Sequence, residues 1–84
     1  MLYTARIFVS LKPSVNDPQG ITVRQGLIDM GFDGVTDVSV GKYIELTVES
    51  DTQNIAEDTV RDMCGKLLSN PVIERYDFEI IKDD

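Results

Sequence analysis

Val35-Thr36-Asp37-Val38-Ser39-Val40-Gly41-Lys42-Tyr43-Ile44-Glu45-Leu46-Thr47-Val48-Glu49 sits at the middle of the chain and divides it into two halves of similar layout. From Val38 to Val48 the even positions are apolar, with Lys42 the exception. The odd positions Ser39, Glu45, Thr47 and Glu49 are polar. A period of two marks a strand buried on one face. Two geometries fit. A three-residue loop, Gly41-Lys42-Tyr43, would pair Val40 with Ile44 and Val38 with Leu46, keeping the apolar face intact. A two-residue turn would set Ser39 opposite Ile44 and is rejected on register. In the other geometry the phase runs unbroken through Gly41, as one long strand kinked at the glycine and shared with a second chain. The hairpin is the preferred expectation, and the long strand stays open as the alternative.

On the N-terminal side, Leu2 to Lys12 alternates well. Tyr3, Ala5, Ile7, Val9 and Leu11 share one face, which predicts a strand. Leu2 and Phe8 are apolar on the opposite, otherwise polar face. In so small a chain they are the candidates for a dimer interface. Lys12 to Gly20 is a connection rich in turn residues. Within it Asp17 reads as a helix N-cap and Pro18 as the first helical residue. The helix is expected to run to about Met30 and to end on Gly31. Gly20 and Gly26 lie inside it, each costing up to ~1 kcal/mol relative to Ala.

On the C-terminal side, Ser50 and Gln53 have capping-box spacing ahead of a second helix. Ala56, Val60, Met63, Cys64 and Leu67 line one stripe of that helix, with Leu68 at its edge. Asn70-Pro71 stops the helix. A last strand is expected from Val72 to Ile81, with Glu74 breaking its apolar face and Lys82-Asp83-Asp84 left as a tail. The order is β-α-β-β-α-β: an α+β fold, ferredoxin-like, with an antiparallel sheet and two helices on one of its faces. Residues 1–84 make one domain.

Composition narrows function by exclusion. The chain has 84 residues, 15 acidic and 8 basic, for a formal charge of −7. A chain this short buries only about 60–65% of its unfolded surface, so an oligomer is expected. The acidic balance argues against nucleic acid, which needs a basic stripe. No apolar run approaches a membrane span. A lone cysteine, Cys64, and a chain that enters a strand directly fit a cytoplasmic protein. With no histidine there is no imidazole base and no common zinc site. Neither a P-loop nor a dinucleotide fingerprint is present. Asp37, Glu45 and Glu49 could share the outer sheet face, but the pattern puts them in solvent, where carboxylates do little acid-base work.

Three stretches carry a family likeness. They are Leu11-Lys12-Pro13-Ser14-Val15-Asn16-Asp17-Pro18-Gln19-Gly20, Val40-Gly41-Lys42-Tyr43-Ile44-Glu45-Leu46, and Met63 to Tyr76 with its Leu67-Leu68-Ser69-Asn70-Pro71-Val72-Ile73-Glu74 run. With Leu27 to Phe32 between them, they resemble the PurS family, the small subunit of phosphoribosylformylglycinamidine synthase. The resemblance implies a role in purine biosynthesis. It implies a non-catalytic, dimeric adaptor that bridges a synthetase subunit and a glutaminase subunit and assists ammonia transfer. It places no cofactor on this chain, with ATP and Mg on the synthetase subunit. Candidate partner contacts are Lys12, Pro13, Asp17, Gln19, Lys42, Tyr43, Asn70 and Glu74. The alternative is a regulatory ligand-binding module of the amino-acid-sensing type, which uses the same element order. That reading expects a glycine-containing loop after the first strand, where this chain has a longer, proline-rich one.

Overall fold

The computed structural model describes residues 1–83. Three strands form one antiparallel sheet: β1 (Leu2–Leu11), β2 (Lys42–Glu49) and β3 (Glu74–Lys82), in the order β2-β1-β3. Two α-helices, α1 (Pro18–Asp29) and α2 (Gln53–Met63), complete the fold, and α2 continues into a π-helical turn at Cys64–Leu68. The α+β class holds. The hairpin at Gly41 does not. Residues 35–41 have no regular secondary structure, and β2 pairs only with β1 among the described strands, with Ile7 opposite Ile44 and Ala5 opposite Leu46. The fold therefore has three strands in place of the four expected. The chain makes no reversal at Gly41: β2 pairs with β1 on one edge, and its other edge is left open.

The core lies between the inner sheet face and α2. Ala5, Ile7, Val9, Val60 and Cys64 are buried, with Ile44, Leu46, Tyr76, Phe78 and Ile80 packed against them. Arg61 closes one side by setting its guanidinium 5.6 Å from the Phe78 ring centre. Only α2 covers the sheet, so the expected pair of covering helices is corrected to one. Helix α1 buries nothing but Gly20. It stands off with residues 35–40 running back along it as an arm. The Cα radius of gyration, 16.5 Å, is well above the about 12 Å of a compact domain this size.

Several boundaries move for identifiable reasons. Helix α2 is capped by Thr52, whose side chain accepts the Ile55 N–H at 3.2 Å. Ser50 is drawn to the end of the sheet, where its N–H donates to the Met1 carbonyl. Leu67, expected in the buried stripe, is 83% exposed. The Ser69 N–H reaches back five residues to the Cys64 carbonyl, and that extra residue in the turn rotates Leu67 out and Leu68 onto the core. Val72 and Ile73 belong to a turn, and β3 starts at Glu74. The tail is tied as far as Asp83, whose N–H donates to the Leu2 carbonyl; Asp84 lies outside the described residues.

Candidate functional site

The residues singled out around the loops converge on one end of the sheet, where β1 finishes and β2 and β3 begin. Lys12 leaves β1 and ties down the turn ahead of β3. Its N–H donates to the Ile73 carbonyl at 2.8 Å and its Nζ to the Pro71 carbonyl at 2.7 Å. Asn70 shapes that turn. Its Oδ1 accepts the Val72 N–H, and its own N–H donates to Glu74 Oε1 at 2.7 Å. Glu74 also faces Lys42 across the cleft, with Nζ 3.6 Å from Oε2. One carboxylate thus joins the start of β3 to the start of β2.

The opposite wall comes from the arm. The Asp17 carboxylate accepts the Gly20 N–H as a helix cap and the Val40 N–H as a tether, both at 2.9 Å. Those backbone donors hold its pKa below the ordinary aspartate value. Gln19, Val40, Gly41, Lys42, Glu74 and Ser10 then line a cleft of about 160 Å³. A second, apolar groove of about 420 Å³ lies next to it, between Pro18, Thr22, Val23 and Val40. Gly41 fits because a Cβ there would sit 2.5 Å from the Val9 carbonyl oxygen.

Lys12, Asp17, Gln19, Lys42, Asn70 and Glu74 are therefore neighbours in space. Pro13 lies exposed in the turn after β1. Tyr43 points to the outer sheet face, where its hydroxyl donates to Glu45 Oε2 at 2.7 Å and its ring lies 5.2 Å from that of Phe8. The Glu45 carboxylate raises the Tyr43 phenol pKa above its ordinary value. Phe8 and Leu2 are 49% and 46% exposed. Six residues of strand separate them by about 20 Å, so they do not make one patch. Sequence reasoning missed Ser10 and Val40 as cleft residues. Val40 reads as core by its parity; only the tether from Asp17 turns it into a wall.

Among the described residues no group of three or more His, Cys, Asp or Glu side chains is placed to hold a metal ion. Glu45 and Glu49 face solvent on β2, and Asp37 lies in the arm away from them. Cys64 is buried in the core, where desolvation pushes its thiol pKa up and away from nucleophile chemistry. No helix among the described residues is long and apolar enough to cross a membrane.

Fold and site together define a small α+β module with a projecting arm and a cleft at one sheet end. Comparison with known proteins makes this specific. The family model PurS, described as phosphoribosylformylglycinamidine (FGAM) synthase, matches residues 4–82. The PurS subunit of FGAM synthase from Synechocystis is 51% identical over 78 residues, covering 93% of this chain and 78% of its own. That of Bacillus subtilis is 46% identical over 79 residues, covering 94% and 93%. The solved B. subtilis PurS superposes with a TM-score of 0.86 at 47% identity, over 95% of this chain and 99% of that one. A chain in the structure of PurLQS from Thermotoga maritima superposes at 0.88 with 32% identity, over 96% and 99%. The chain belongs to the PurS family, the PurS subunits of FGAM synthase. That membership favours the subunit reading over the ligand-sensing module.

Proposed function

We propose that this chain is the non-catalytic small subunit of an FGAM synthase complex in purine biosynthesis, working in the cytoplasm. It holds the synthetase and glutaminase subunits together and assists the passage of ammonia between them. ATP and Mg belong to the synthetase subunit. Family membership supports this reading, together with the likeness to a chain of an assembly named for three subunits. The sheet-end cleft and its candidate contacts Lys12, Gln19, Lys42, Asn70 and Glu74 are the proposed docking end.

The working form is a homodimer or higher homo-oligomer. The observation that carries this is the arm. Ile21, Met30 and Phe32 on it are 59%, 75% and 54% exposed. Residues 36–40 make no backbone–backbone hydrogen bond. Both outer edges of the sheet are open. An unpaired segment leading into an edge strand is an invitation to pair with a second copy. This revives the long strand through Gly41, now as an intermolecular element.

Reconstitution tests the function. Synthetase and glutaminase subunits with this chain should make FGAM from glutamine. Without it, glutamine-dependent synthesis should collapse while synthesis from added ammonia persists. Full glutamine-dependent activity in its absence would overturn the reading.

A further inference from the structure

The outer face of the sheet carries cross-strand rows of side chains, and two of them run side by side next to a row in which Arg75 bonds Ser10. Across β2-β1-β3, Tyr43, Phe8 and Asp77 form one row and Glu45, Arg6 and Glu79 the next. In the first row the Phe8 and Tyr43 rings, tilted by 43°, make an exposed aromatic platform. Asp77 stands beside Phe8 at one end and Glu45 is hydrogen-bonded to the Tyr43 hydroxyl at the other. In the second row Arg6 is paired with Glu79 at 3.4 Å. Three carboxylates against one guanidinium leave the two rows with net charge −2. An aromatic surface edged by carboxylates is complementary to an arginine. The guanidinium plane stacks on the rings while its N–H groups reach the acids.

We infer that this platform docks a projecting arginine on a basic surface of a heterologous subunit, rather than a second copy of the chain. Charge disfavours the second copy. Laid on itself, the face would set Asp77, Glu45 and Glu79 against their own counterparts. Phe8 thereby moves from a homodimer contact to a contact between unlike subunits, and Leu2, some 20 Å along the strand, is no part of it.

The inference rests on the chain being a subunit of a multi-subunit synthase, and the test separates the two. The full-length chain is titrated calorimetrically into the synthetase subunit and into the glutaminase subunit, with its oligomeric state followed by sedimentation. Asp77→Lys should weaken binding to one of the two by ~10-fold or more, and Phe8→Asp likewise. Asp77→Asn should lose less, and wild-type affinity should fall as salt rises. The homo-oligomer should be unchanged in each. Asp77 is an exposed strand residue, so its variants keep the test valid if Phe8→Asp fails to fold. Wild-type affinity in all variants overturns this docking assignment while leaving the subunit reading standing. Loss of the homo-oligomer would make a second copy the occupant and overturn it too. Failure of wild-type protein to bind either subunit overturns both.

Discussion

Asp17 accepts the backbone N–H of Val40 across 23 residues of sequence, and with its other oxygen caps the helix that begins next to it. One carboxylate thus fixes where α1 starts and where the returning segment lies along it. Replacing Asp17 with Ala should lower the melting temperature by on the order of 5 °C, through the lost cap. It should also weaken the homo-oligomer in sedimentation, because Val40 is freed. Asn at this position should lose less. Since the folded-state pKa lies below the ordinary 3.8, the Asp17 contribution is present above that pH. It is lost as pH falls through the folded value. Wild type and Asp17→Asn should therefore converge in stability as pH drops below 3.8, and a gap that widens there would contradict the tether.

The glycines divide by what surrounds them. A Cβ at Gly41 would run into the Val9 carbonyl, and one at Gly20 into the Val38 carbonyl and the Asp17 side chain. A Cβ at Gly26 would meet nothing within 4 Å. Gly26→Ala should stabilise the protein by up to ~1 kcal/mol in urea unfolding, by removing a poor helix former from α1. Gly41→Ala and Gly20→Ala should destabilise it. Equal effects at all three sites would mean that the arm does not lie where it is placed here.

Period and caps made much of this fold legible. Alternation gave β1 and most of β2 and β3 their inner faces, and Asp17-Pro18 gave the start of α1. The segment from Val35 to Val40 departs from the preferred hairpin for a physical reason. Its alternation is real, but alternation records that one face is to be buried, not by which chain. No strand among the described residues pairs with it, so local pattern alone points to a hairpin that the chain does not make. The same limit hid the site. Lys42 and Glu74 could be flagged singly, whereas their meeting depends on β2 and β3 starting at the same end of β1.

Leu67 and Leu68 test the π-helical turn. An uninterrupted α-helix would place Leu67 with Val60 and Cys64 on the core stripe. In the structure Leu67 is exposed and Leu68 packs on the core. Leu68→Ala should therefore cost about 2 kcal/mol or more, and Leu67→Ala less than about 0.5 kcal/mol in the isolated protein. The reverse order in urea unfolding would restore the regular helix.

Glu74 joins two strand starts through two unequal interactions. Its Oε1 accepts the Asn70 N–H at 2.7 Å, and its Oε2 lies 3.6 Å from Lys42 Nζ, where the Lys42 side chain is 57% exposed and that of Glu74 15%. The hydrogen bond is the shorter contact and fixes the turn ahead of β3. The ion pair is long and half in water, where such pairs contribute about 0–1 kcal/mol. Glu74→Gln keeps an acceptor for Asn70 and should cost under about 1 kcal/mol. Glu74→Ala removes it and should cost about 1 kcal/mol more. In a double-mutant cycle with Lys42→Ala, the coupling energy should stay below about 0.5 kcal/mol and shrink with added salt. A coupling above about 1.5 kcal/mol would show that the charge pair, rather than the hydrogen bond to Asn70, holds this end of the sheet together.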